Sequence, residues 1–104
     1  EKFYSNLWGN RIGDIASLLR SVDYWYRTQK KGSQGLTSEI RLSILKSLAI
    51  NDKDYQCISY AYLLRNLYEI SYEEKYRPDW VGIPKAGLVD SIKWVNSFSV
   101  KKSF

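Results

Sequence analysis

The chain has 104 residues, of which 44% are hydrophobic and 26% are charged, and its formal net charge is +5. This length and composition predict one domain with its own hydrophobic core and exclude an intrinsically disordered chain. The sequence has no histidine and one cysteine, Cys57, which excludes zinc sites, disulfide frameworks and histidine-dependent catalytic triads.

Charge is unevenly distributed along the chain. Residues 1–50 carry eight basic and four acidic groups. Residues 51–74 carry two basic and five acidic groups, and residues 75–104 carry six basic and two acidic groups. Positively charged N-terminal and C-terminal parts are suited to binding a nucleic-acid backbone, an anionic membrane surface or an acidic protein partner. No apolar run approaches the roughly 20 residues of a membrane-spanning helix. The first residue, Glu1, indicates a processed or excised chain, and the compartment does not follow from the sequence.

The first predicted helix, over residues 6–31, is amphipathic. Apolar side chains recur at steps of four and three residues, which places them on one buried stripe. They are Trp8, Ile12, Ile15, Leu19, Val22 and Tyr26, with Leu18 and Trp25 widening the stripe. The helix ends before Gly32-Ser33-Gln34-Gly35, a sequence that breaks helices.

The other side of this helix is basic, and we expect it to face water. Its candidate contacts to phosphate or to an acidic partner are Arg20, Tyr24, Arg27, Lys30 and Lys31. Positive side chains beside a ring suit phosphate oxygens next to a stacked base. The alternative is an ordinary solvated face, in which Asp23 and Arg27 pair at i,i+4.

Two further helices are predicted over residues 38–50 and 53–72, with Thr37 or Ser38 capping the first and Asp52 the second. Their expected buried residues are Ile40, Ile44, Leu45 and Leu48, followed by Cys57, Ile58, Ala61, Leu64, Leu67 and Tyr68. The pair has the order of a helix-turn-helix. However, five carboxylates on or next to the second helix oppose a phosphate field, which argues against major-groove binding. They are Asp52, Asp54, Glu69, Glu73 and Glu74.

Residues 76–83 are predicted to form a loop stiffened by Pro78. Its candidate contacts to a protein partner are Tyr76, Arg77, Trp80 and Ile83. A rigid loop that presents a tryptophan suits a partner pocket. The alternative is that Trp80 and Ile83 fold back and close the end of the bundle.

A fourth helix is predicted over residues 84–98, with Pro84 at its start and a frayed or docked tail over 99–104. Its expected buried stripe is Leu88, Ile92 and Val95. A second basic group contains Lys85, Lys93, Lys101 and Lys102, with Trp94 among them. This group extends the positive surface if the last helix packs beside the first.

These elements predict a single all-α domain over residues 1–104, a bundle or compact array of about four helices. No residue pattern indicates catalysis, a metal, a cofactor or a small-molecule site. We expect a non-catalytic helical interaction module, an accessory or assembly subunit of a larger complex. The alternative is a nucleic-acid-binding helical module with salt-sensitive, largely sequence-independent phosphate contacts. Exposed rings favour the first function, and a continuous basic groove between the first and last helices favours the second.

Overall fold

The computed structural model describes residues 11–29 and 34–102. These residues form four α-helices: α1 (Arg11–Gln29), α2 (Ser38–Ser47), α3 (Asp52–Tyr76) and α4 (Gly82–Lys102). A short 3₁₀ turn, Pro78–Trp80, connects α3 to α4. No strand occurs in these two ranges, and the predicted all-α fold with four helices is confirmed.

Helix α3 lies at the centre of the bundle, because it packs against both α1 and α4. Helix α2 has no comparably close backbone contact with another helix and is attached through its side chains, chiefly the buried Leu45. The main core cluster consists of Ile15, Leu19, Leu36, Leu45, Ile50, Ile58, Tyr62 and Trp94. Burying these side chains supplies the main driving force for folding.

The beginnings of α2 and α3 are fixed by side-chain caps. Thr37 caps α2, as predicted, because its Oγ1 accepts the Ile40 N–H at 3.2 Å. Asn51 caps α3, since its Oδ1 accepts the Asp54 N–H at 2.9 Å. The predicted cap, Asp52, is instead the first helical residue, where a carboxylate suits the positive end of the helix dipole.

Two helices end at positions other than those predicted. Helix α2 ends at Ser47 rather than residue 50, because Ala49 has a positive φ of 56° and closes the helix. Helix α3 continues to Tyr76, beyond the predicted end at residue 72. It ends there because Arg77 precedes Pro78, and a residue before proline disfavours the helical backbone.

The predicted tail over residues 99–104 is wrong for residues 99–102, which continue α4. Helix α4 also begins two residues early, at Gly82. The predicted start of the first helix at residues 6–10 and its end at residues 30–31 lie outside the described residues, as do residues 103–104.

Helix α4 buries a different face from the one predicted. Ile92 is 44% exposed, whereas Gly87, Ser91 and Trp94 are buried. Small side chains face the core because polar groups of α1 and α3 approach α4 there: a Cβ at Gly87 would lie 2.3 Å from Asn66 Oδ1. Other side chains predicted to be buried are exposed, namely Leu18, Trp25, Leu48, Leu67 and Tyr68. Cys57 is only partly buried.

Candidate functional site

The predicted basic face of α1 does not face water. Arg20 is only 1% exposed, and the Arg27 side chain is 12% exposed. The expectation of a solvated face was wrong because α1 turns these arginines towards carboxylates on α1, α3 and α4, and a buried charge is tolerated when it is paired. Lys30 and Lys31 lie outside the described residues.

Arg20 joins α1 to α3. Its Nε and Nη2 donate to Glu69 Oε1 at 2.9 and 2.8 Å, and its Nη1 donates to Asp23 Oδ2 at 2.5 Å. The same Nη1 lies 3.3 Å from the Tyr62 hydroxyl. Burial by itself lowers the pKa of Arg20, but the hydrogen bond to Glu69 and the surrounding negative charges raise it. Arg20 is therefore a charged structural residue.

Arg27 joins α1 to α4 in the same way. Its Nε donates to Asp23 Oδ2 at 2.9 Å, and its Nη2 donates to Asp90 Oδ2 at 2.7 Å. The other oxygen of Asp23 accepts the Leu36 N–H at 2.8 Å and holds the segment before α2. The i,i+4 pair between Asp23 and Arg27 thus forms, and it is buried. The contact between the first and last described helices is a paired network and not a basic groove.

The second predicted basic group is dispersed along α4. Lys85 and Lys93 are exposed, whereas Trp94 is 8% exposed and belongs to the core. Lys101 and Lys102 belong to α4, and their side chains lie outside the described part of the structure.

The predicted partner loop forms part of a larger aromatic surface. Tyr76 is 59% exposed at the end of α3, Trp80 is 40% exposed in the 3₁₀ turn, and Ile83 is partly buried. The Arg77 guanidinium lies 4.6 Å from the centre of the Trp80 ring and 6.0 Å from that of Tyr72. Arg77 therefore connects the turn to the side of α3.

The sequence analysis missed the row of tyrosines that continues this surface along α3. Tyr68, Tyr72 and Tyr76 recur every four residues and lie on one face of the helix. Ring centres are 6.4 Å apart for the first pair and 4.8 Å for the second. We call these three tyrosines together with Trp80 the aromatic ridge.

A buried carboxylate anchors the ridge from beneath. Glu73 is 1% exposed; it accepts two hydrogen bonds from Arg77 at 2.8 Å and one from the Tyr24 hydroxyl at 2.7 Å. Burial by itself raises the pKa of Glu73, but the hydrogen bonds from Arg77 and Tyr24 outweigh it and lower the pKa. Burial and the bond to Glu73 raise the pKa of Tyr24. Tyr24, a candidate phosphate contact, is thus a support for the ridge.

Two concave surfaces accompany these residues. A shallow groove of about 430 Å³ lies between α1 and α3, lined by Tyr24, Tyr68, Tyr72 and Arg77 among others. A larger cleft of about 1050 Å³, here called the α2–α4 cleft, is lined by residues that include Arg41 and Trp94. The two share no lining residue.

Comparison of the chain with family models, curated proteins and solved structures finds no match. Within residues 11–29 and 34–102, no helix combines the length and the apolar character needed to cross a membrane. In the same ranges, no three metal-ligating side chains come together at one place.

Proposed function

We propose that the chain is a non-catalytic protein-binding module, an accessory or assembly subunit of a larger complex, and that its partner docks on the aromatic ridge. The observation that carries this proposal is the row of rings itself. Tyr68, Tyr72 and Tyr76 are 58%, 43% and 59% exposed, and Trp80 extends the row at 40%. Tyrosine and tryptophan are enriched at protein interfaces, because each buries a large area and retains a polar group for hydrogen bonding.

The rings of the ridge contact one another and Arg77 in the free protein. Neighbouring rings lie against one another, and Arg77 holds Tyr72 and Trp80 from one side while Glu73 fixes the arginine. A surface that is fixed in the free protein loses less side-chain entropy on binding. Rings held in this way suit the anchor positions of an interface.

The charges around the ridge indicate the chemistry of the partner. Arg65 lies 5.7 Å from the Tyr68 ring centre, and Lys75 lies 5.2 Å from that of Tyr76. The carboxylates of Glu69 and Glu73 are bonded to arginines, whereas Asp79 is exposed next to Trp80 in the 3₁₀ turn, so the positive charge is concentrated at the Tyr68 and Tyr76 rings. A partner segment that combines apolar side chains with Asp or Glu therefore complements the ridge.

The alternative, a nucleic-acid-binding module, has less support. It requires free positive side chains, whereas Arg20 and Arg27 already bond to three carboxylates. A row of rings beside cations also suits a single-stranded nucleic acid, so the test includes that ligand.

Selection of displayed random peptides on the immobilised protein tests the proposal. We expect the selected peptides to combine apolar and acidic residues. The double variant Tyr72→Ser/Tyr76→Ser should bind them at least about ten-fold more weakly, because it removes two anchors. Trp25→Ser is the matched control: Trp25 is 58% exposed, lies on α1 and does not line the groove beside the ridge, so its loss should leave affinity unchanged.

Two results would contradict the proposal. One is equal binding of the selected peptides by the double variant, with its helical circular dichroism intact. The other is tight, steeply salt-dependent binding of a uridine oligonucleotide that the same double variant abolishes, since this assigns the ridge to nucleic acid.

A further inference from the structure

The α2–α4 cleft contains an arginine, Arg41, whose contacts differ from those of Arg20 and Arg27. The Arg41 guanidinium lies 4.0 Å from the centre of the Trp94 ring and lines the cleft. Arg20 and Arg27 are bonded to carboxylates, whereas Arg41 forms no ion pair or hydrogen bond with any described residue. Within residues 11–29 and 34–102, no side chain or backbone group occupies its donors, which leaves them available to a ligand.

The Arg41 guanidinium is partly shielded from solvent and has no carboxylate directly against it among the described residues. Arg41 is partly buried, and burial lowers the pKa of its guanidinium. Asp23 and Asp90 act on it only from a distance, because both carboxylates are bonded to Arg27. The Arg41 nitrogens are not among the buried unpaired atoms of the described residues, so they donate to water that an incoming oxyanion would replace.

The geometry of Arg41 is suited to such an anion. A guanidinium stacked on a ring keeps its in-plane N–H groups free, and these match the two oxygens of a carboxylate. The Trp94 ring is itself fixed, because it is 8% exposed and meets Tyr62 edge to face at 5.5 Å. Tyr62 in turn receives a hydrogen bond from Arg20. The Trp94 ring against which the Arg41 guanidinium packs is therefore held in place by its own neighbours.

The remaining lining contributes a second cation and an apolar wall. Lys93 is exposed at the cleft, and among the described lining residues the carboxylates are Asp90, which is bonded to Arg27, and Asp52. Leu42 and Phe98 provide apolar surface beside Trp94. Ligand sites commonly have volumes of about 300–1000 Å³, so a cleft of about 1050 Å³ has room for more than an inorganic ion.

We propose that the α2–α4 cleft binds an amphipathic organic carboxylate, with the carboxylate bonded to Arg41 and the apolar body lying along Trp94, Leu42 and Phe98. This site does not depend on the aromatic ridge, since it shares no residue with the groove beside the ridge. It assigns a small-molecule site to a chain whose sequence shows none.

Titration of the ¹⁵N-labelled protein with 2-naphthoate tests this site by nuclear magnetic resonance. We expect shifts concentrated at the Trp94 indole N–H and the Arg41 Nε–H. Arg41→Gln should weaken binding by about ten-fold or more, because it removes the charge and the paired donors. Arg41→Lys keeps the positive charge but loses the paired N–H donors of the guanidinium, so it should bind with intermediate affinity. The matched control is Lys85→Gln, an exposed cation of α4 outside the cleft, which should leave affinity unchanged.

Two comparison ligands define the chemistry. The neutral 2-naphthalenemethanol lacks the carboxylate, and inorganic phosphate lacks the apolar body, so both should bind more weakly than 2-naphthoate. The proposal is overturned if either binds as tightly, if shifts occur away from the cleft, or if Arg41→Gln retains full affinity. If Arg41→Gln does not fold, Arg41→Lys is the test variant, and full wild-type affinity in that variant counts against the proposal.

Discussion

Arg20 and Glu69 are joined by two hydrogen bonds between α1 and α3, with the arginine 1% exposed and the Glu69 side chain 13% exposed. Both bonds end on the same oxygen, Oε1, at 2.9 and 2.8 Å. The interface between these two helices therefore includes a buried ion pair on the side of α1 that the sequence predicts to face water, beside the apolar contacts of the core. Breaking a buried ion pair costs more than replacing it with apolar groups, because the remaining charge stays without a partner.

Replacing Arg20 alone is expected to destabilise the protein strongly. Arg20→Met leaves the Glu69 carboxylate without a cation and should lower the free energy of unfolding by about 3–5 kcal/mol. In the double variant Arg20→Met/Glu69→Met, the unpaired Glu69 charge is removed as well, and part of this loss should be recovered, because Asp23 loses Arg20 but keeps Arg27. Urea denaturation of the wild type, both single variants and the double variant measures the coupling. Additive effects would show that the two residues are not partners.

Gly87 is expected to be intolerant of any side chain. A Cβ there would lie 2.3 Å from Asn66 Oδ1 and 2.7 Å from Arg20 Nη1, and both groups are buried. Gly87→Ala should therefore destabilise the protein by about 1–3 kcal/mol, even though alanine favours a helix. Gly82→Ala is the matched control at the start of the same helix, where a Cβ meets nothing within 4 Å. Thermal denaturation should show it to be neutral or slightly stabilising, and equal losses in both variants would contradict the packing argument.

The Glu73 carboxylate is expected to make the free energy of unfolding depend on pH in the acidic range. Hydrogen bonds from Arg77 and Tyr24 overcome the effect of burial and lower its pKa in the folded state below the usual value. The contribution of Glu73 to the free energy of unfolding is therefore complete above the usual pKa of a glutamate. It is lost as the pH falls through the lowered pKa of the folded state. Glu73→Gln should be about 2 kcal/mol less stable than the wild type at neutral pH.

Urea denaturation between pH 7 and pH 2 measures this difference. The difference in free energy of unfolding between the wild type and Glu73→Gln should become smaller as the pH falls. Protonation of Glu73 removes its negative charge from the wild type, and the variant already lacks that charge. A difference in free energy of unfolding that stays constant with pH would show that Glu73 has the same pKa in the folded and unfolded states.

The sequence predicts the four helices because periodic apolar residues and cap residues act locally. Thr37 is an example, since its hydroxyl bonds an amide three residues away. Which face each helix buries depends on contacts between distant residues. Arg20 resembles a solvated charge until Glu69, 49 residues further along, lies opposite it. The buried stripe of α4 was misplaced for the same reason, since Gly87 faces the core only because Asn66 and Arg20 occupy the space.

The candidate surfaces differ in how far the sequence could have shown them. The spacing of Tyr68, Tyr72 and Tyr76 already places three rings on one helical face, and the missing step was to recognise that this face stays exposed. The α2–α4 cleft had no such signal. Arg41 and Trp94 are distant in sequence, and their stacking depends on how α2 is attached to the bundle.

The turn between α2 and α3 offers a stabilising substitution. Ala49 has a φ of 56°, while its N–H donates to Lys46 O and the next N–H, of Ile50, donates to Leu45 O. This backbone costs an L-residue about 1–2 kcal/mol, whereas glycine adopts it freely and loses only part of the gain to its flexible unfolded state. Ala49→Gly should therefore raise the free energy of unfolding by about 0.5–1 kcal/mol in urea denaturation. Ser43→Gly, at an exposed position within α2, should have the opposite sign, and a loss of stability in Ala49→Gly would contradict the left-handed turn.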